Sequence, residues 1–118
     1  MDVRTNSDLV PTARLEGDAL ILAAHGEIDL HNSSELRSVI FHLLTRNPVK
    51  RLVLNLSQVP YMDSSAVAVL VEAVRRMKPT GGKVCLAALQ PRVQGLLEIA
   101  RLLSIFTVTK DEAEALTK

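Results

Sequence analysis

The sequence predicts an α/β fold: an N-terminal β-hairpin leading into a mixed, mostly parallel central sheet with helices packed against it. Three observations predict it. Short apolar runs alternate along the chain with stretches of helical periodicity, which is the order of a layered α/β domain. The runs Leu52-Val53-Leu54-Asn55-Leu56 and residues 83–89 are apolar almost without alternation, as strands covered on both faces are. Glu16-Gly17-Asp18, Asn47-Pro48 and Pro79-Thr80-Gly81-Gly82 punctuate the chain between these segments. The 118 residues read as one domain, 1–118, with its core over about 9–116.

The hairpin is expected from residues 9–15 and 19–26, turning at Glu16-Gly17-Asp18, with the continuously apolar second arm the more buried. Asn32-Ser33-Ser34-Glu35 has the form of a capping box. In that reading Asn32 accepts from the amide of residue 35 and Glu35 reaches back. Leu36, Val39, Ile40, Leu43 and Leu44 follow on one helical face, and Asn47-Pro48 ends the helix. A strand at 52–56 leads to a second helix from about Ser64 to Lys78, stopped by Pro79-Thr80-Gly81-Gly82. Those two glycines follow a helix, so turn geometry explains them better than phosphate cradling. Residues 83–89 make the next strand. Pro91 opens a third helix with Val93, Leu96, Leu97 and Ala100 inward. A strand at 105–108 and a short helix capped by Thr109-Lys110-Asp111-Glu112 complete the order ββαβαβαβα. Right-handed crossovers then set the later strands parallel and side by side.

Composition narrows the function. Apolar residues make up 47% and aromatics 3%, so the core is aliphatic and base-stacking surfaces are not expected. Fourteen basic and thirteen acidic residues are interspersed for a net charge of +1, which argues against direct nucleic-acid binding. Cys85 lies in the apolar run 84–89 and reads as a buried small hydrophobe. No apolar segment approaches the roughly 20 residues of a membrane span, and the polar N-terminus precedes no signal-like stretch. Membrane insertion is not expected, and the reducing cytoplasm is the expected compartment.

Enzymatic signatures are weak. His25, His31 and His42 lack metal-ligand spacing, and there is no Gly-x-Ser-x-Gly elbow, Walker lysine or Gly-x-Gly-x-x-Gly run. Neither a catalytic residue, a metal nor a cofactor is expected. The informative segment is Val59-Pro60-Tyr61-Met62-Asp63-Ser64-Ser65-Ala66, at the end of a buried strand and the start of a helix. Asp and Ser are ordinary N-caps there, but that junction is also where α/β sheets carry functional groups. On the helix, steps of ~100° put Val67, Leu70, Val71 and Val74 inward. Ser65, Val69, Glu72 and Arg76 then face outward, flanked by Ala68 and Ala73.

Gly26-Glu27-Ile28-Asp29, Leu52-Val53-Leu54-Asn55-Leu56 and Met62-Asp63-Ser64-Ser65, in this order and spacing, resemble the STAS domain of anti-sigma factor antagonists. The resemblance runs over roughly residues 9–116. It implies a cytoplasmic phosphoprotein of partner switching in transcription regulation, whose unphosphorylated form captures an anti-sigma factor and frees the sigma factor. The anti-sigma factor would be a GHKL-type serine kinase that phosphorylates Ser64, and a PP2C-type phosphatase would reset it. Asp29 and Asp63 would stand near the phosphoacceptor. With Ser65, Ala66, Ala68, Val69 and Glu72 they form the expected partner-binding set. The family pattern continues Gly-Leu-Gly after the second hydroxyl residue, whereas this chain has Ala66-Val67-Ala68. That departure leaves an alternative: a non-phosphorylated STAS subunit of a lipid ABC transporter or signalling scaffold.

Overall fold

The computed structural model describes residues 1–118. One six-stranded sheet runs in sequential order through β1 (Asp2–Val3), β2 (Thr12–Glu16), β3 (Ala19–His25), β4 (Arg51–Gln58), β5 (Lys83–Ala87) and β6 (Thr107–Thr109). β1 and β2 pair antiparallel, as do β2 and β3, whereas β3 to β6 are parallel. The helices are α1 (Ser33–Arg46), α2 (Ser64–Met77), α3 (Pro91–Ile99) and α4 (Glu112–Ala115). The expected hairpin and parallel sheet are present. The two-residue β1 was not anticipated; it lies in the polar N-terminus, and the backbone of Met1 rather than an apolar pattern holds it to Leu15.

Sequential order among parallel strands puts every crossover helix on one side when the crossovers share a hand. The larger core cluster accordingly joins Leu36 and Ile40 of α1, Leu70 of α2 and Leu97 of α3 to Leu20, Leu52, Leu54 and Leu86 of the sheet. The other face is thinner. Ala19, Ile21, Val53, Cys85 and Ala87 lie there under Ala115 of α4. Cys85 is fully buried, and that burial pushes its thiol up. Polar straps hold α4 down: Arg51 Nη1 donates to Ala115 O at 2.8 Å, and Asn55 Nδ2 donates to Glu112 Oε2 at 2.6 Å.

Three local expectations are corrected. Asn32 does not close a capping box. Its Oδ1 accepts from Asp29 N at 2.8 Å and its Nδ2 donates to Glu27 O at 2.9 Å, so it folds back on the preceding loop. Glu35 instead accepts from Ser7 Oγ at 2.5 Å. In α3 only Val93 and Leu97 are buried; Leu96 is half-buried, and Ala100 is exposed at the helix end. The last strand begins at Thr107 because residues 103–105 form a 3-10 turn.

Two glycines have opposite standing. Gly81 is left-handed (φ 74°), and a Cβ on Gly82 would lie 2.9 Å from Met77 Cε, 3.1 Å from Lys50 O and 3.2 Å from Met77 O, so a side chain there would force the turn to shift. Gly95 sits inside α3, and a Cβ there would meet nothing within 4 Å. Gly82→Ala is therefore expected to destabilise the fold by ~1–3 kcal/mol through forced backbone movement. Gly95→Ala is expected to stabilise it by about 0.5–1 kcal/mol. Thermal unfolding of the two variants checks both signs; a fall in melting temperature for Gly95→Ala contradicts the assignment.

Candidate functional site

Two loops meet at the C-terminal ends of β3 and β4. The first leaves β3 through a register shift between Ala23 and His25, then turns at Gly26, whose φ of 89° suits glycine. Gly26 N donates to Gln58 O at 2.8 Å, tying the exit of β3 to the end of β4. Next, Ile28 and Met62 form a single parallel bridge, with Ile28 N donating to Tyr61 O and Asp63 N to Ile28 O, each at 3.1 Å. Both side chains are buried, at 0% and 2% exposure. This apolar pair anchors the two loops from beneath and brings Asp29, Asp63 and Ser64 to the same rim.

Asp63 caps α2 with its side chain. Its Oδ1 accepts from Ser65 Oγ at 2.6 Å, Ser65 N at 2.9 Å and Ala66 N at 3.4 Å. Its Oδ2 accepts from Leu30 N at 3.0 Å, across the gap to the first loop. The hydroxyl of Ser65, followed by these backbone donors, holds the Asp63 carboxyl below the usual aspartate range. The helix N-terminus favours the same charged form. The adjacent serines thereby become unequal. Ser65 is half-buried with its hydroxyl proton committed to Asp63, whereas Ser64, the first residue of α2, is exposed.

Asp29 is held within its own loop. Its Oδ1 accepts from His31 N at 2.9 Å, and its carbonyl accepts from Ser33 N at 2.8 Å, which starts α1. Leu30 beside it is 78% exposed. The residues expected along α2 divide. Ala68 is exposed, and Glu72 makes a bidentate pair with Arg37 of α1 at 2.9 and 2.6 Å. The expected outward placement of Val69 is corrected: Val69 is buried, as are Ala66 and Ala73, both at 0% exposure. Val71 and Val74, expected inward, are only half-buried. Ala66 and Ala73 belong to the core cluster, and small residues there let α2 pack closely on its neighbours, so the helix is rolled from the expected orientation. The methyl of Ala66 therefore points into the core, and of the two alanines that replace family glycines only Ala68 reaches the surface.

The sequence reading missed a groove beside Ser64. Tyr61 and Ser64 line one wall, and Arg92, Gly95, Leu96 and Ile99 of α3 line the other. The Arg92 guanidinium lies 4.8 Å from the centre of the Tyr61 ring. The spacing 92, 95, 96, 99 is a helical stripe opposite the buried Val93 and Leu97, a signal that was readable in the sequence.

A STAS domain family model matches residues 10–115, and the chain belongs to that family. It is 29% identical over 99 residues to an anti-sigma F factor antagonist of Paenibacillus polymyxa, covering 84% of this chain and 85% of that one. The crystal structure of an anti-sigma factor antagonist from Mycobacterium paratuberculosis superposes with a TM-score of 0.80 at 20% identity, covering 89% of this chain and 88% of that one. SpoIIAA, an anti-sigma factor antagonist and Bacillus cell fate determinant, is also similar in fold. Its unphosphorylated form gives a TM-score of 0.67 at 20% identity, covering 88% of this chain and 91% of that one. Its phosphorylated form gives 0.69 at 20%, covering 89% and 95%.

Stability should report the charge on Asp63. With its folded pKa depressed, Asp63 stabilises the fold fully above the ordinary aspartate range, and this is lost as pH falls from there through the folded value. Asp63→Asn keeps a side-chain oxygen as cap but removes the charge. The melting-temperature gap between parent and Asp63→Asn is expected to be constant near neutrality and to close under acid. A gap that persists unchanged through the acid range contradicts this.

Proposed function

We propose that this chain is an anti-sigma factor antagonist switched by phosphorylation of Ser64. In this reading the unphosphorylated protein works in the cytoplasm, binds an anti-sigma factor that is also a GHKL-type serine kinase, and so releases the sigma factor. The kinase moves the γ-phosphoryl group of ATP to Ser64 Oγ, which gives up its proton, and ADP leaves. A PP2C-type phosphatase hydrolyses the ester and restores the hydroxyl. The chain is then a substrate and binding partner rather than an enzyme.

The observation that carries this reading is the inequality of the two serines: Ser65 is committed to Asp63 and Ser64 is exposed at the rim. The name of the 29% identical relative supports the antagonist role, and the phosphorylated form of SpoIIAA supports a phosphorylated state for this fold. No helix is long and apolar enough to cross a membrane. Asp29, Asp63, Ser65, Ala68 and Glu72 are the proposed contact set. Ala66 and Val69 act from inside by seating α2.

The physics of the switch is local. A phosphoserine brings about −1.5 to −2 charges. At the start of α2 the helix dipole tolerates that charge, so the fold survives. At an interface beside Asp63 and Asp29, like-charge crowding and desolvation weaken association. A loss of ~3 kcal/mol is about a hundredfold in affinity. Titration calorimetry with the anti-sigma factor kinase of the same organism tests this. Ser64→Ala is expected to bind like the parent and Ser64→Asp at least about tenfold more weakly. Equal affinities for both variants contradict the proposal. Co-purification with a transporter ATPase subunit, without phosphate transfer, favours the scaffold reading.

A further inference from the structure

The groove between the start of α2 and α3 holds a cation with no ion-pair partner. The carboxylates in ion pairs serve Arg14, Arg37 and His31, and none serves Arg92. The Arg92 guanidinium rests instead on the face of Tyr61, 4.8 Å from the ring centre, in an exposed position. Such a contact is weaker than charge-assisted hydrogen bonds to a phosphate. Asp63 is the one carboxylate lining this groove and Arg92 the one cation, and Ser64 lines it with them. Asp63 accepts from four other donors and forms no ion pair with Arg92.

Gly95 adds an independent observation. A glycine inside a helix costs stability, and here neither a steric clash nor a left-handed backbone calls for it. It sits one turn beyond Arg92 on the groove-lining stripe, and its missing side chain keeps the groove open where an occupant would lie.

We propose that Arg92 is the internal counter-ion of phosphorylated Ser64, leaving the Tyr61 ring to pair with the phosphate across the groove that Gly95 keeps open. This rests on the reading of Ser64 as phosphoacceptor and adds a second consequence to phosphorylation. The phosphate draws a cation away from Tyr61, so the modified protein differs from the unmodified one in the surface around that ring as well as in charge. It also gives the phosphoprotein a feature that a Ser64→Asp variant reproduces poorly, because one carboxylate offers less charge and fewer acceptor oxygens than a phosphate.

The test installs phosphoserine at position 64 during translation, so it needs no kinase and stands apart from whether the chain is a kinase substrate. The second ionisation of the phosphate is followed by phosphorus-31 NMR in the full-length parent, Arg92→Gln and Arg75→Gln. Arg75 is an exposed arginine of α2 outside the groove and controls for net charge. The phosphate pKa in Arg92→Gln is expected to lie about half a pH unit or more above the parent, with Arg75→Gln close to the parent. In the parent, the ring protons of Tyr61 should shift on phosphorylation toward their positions in unmodified Arg92→Gln. Equal phosphate pKa values in parent and Arg92→Gln, or equal rises in both variants, overturn the proposal.

Discussion

The carboxylate of Asp63 is the constraint on which the site depends. It receives four donors from two separate segments: three at the start of α2 and one from Leu30 in the loop after β3. One side chain thus caps a helix, joins two loops and accepts the hydroxyl proton of one of two neighbouring serines. The buried bridge of Ile28 and Met62 supplies the apolar anchor that joins the same two loops. Neither alone would suffice. Without the bridge the loops would be free to separate, and without the carboxylate the first amides of α2 would lose their acceptor.

The fold explains why the loops meet where they do. Parallel strands β3 and β4 are neighbours, so their C-terminal ends open on the same edge, and the chain leaves each toward a helix on the same face. In open α/β sheets, functional groups collect outside the carboxyl ends of the strands. Here α3 extends that edge. Gln90 at its start donates to Ser57 O at 2.7 Å, so the end of β4 and the beginning of α3 are tied directly. The groove beside Ser64 is then a consequence of two helices leaving the same edge, with Arg92 and Tyr61 facing each other across it.

Much of this was legible in the sequence, for physical reasons that also mark where legibility stops. The strands were readable because the middles of β4 and β5, residues 52–54 and 84–87, are buried on both faces and run apolar without alternation. The junction at Asp63 was readable because a strand end followed by a good N-cap is a local pattern. Rotation of α2 was not. The expected orientation followed ~100° steps and set Ala68 and Ala73 beside an outward Val69, but Val69 and Ala73 are buried, and of the three only Ala68 is exposed. Asn32 misled in a similar way. Its local pattern is that of a capping box, yet the demand for partners in the 27–29 loop took its side chain first. The Arg92–Tyr61 contact joins residues distant in the chain, and only the helical stripe of α3 hinted at it.

In the proposed switch, Asp63 selects Ser64 over Ser65 by committing the second hydroxyl. Mass-spectrometric mapping of the phosphosite, after incubation of the full chain with ATP and the anti-sigma factor kinase of the same organism, tests it most directly. One phosphate is expected, carried on Ser64, with Ser65 unmodified. A phosphate on Ser65, or on neither serine, would contradict it.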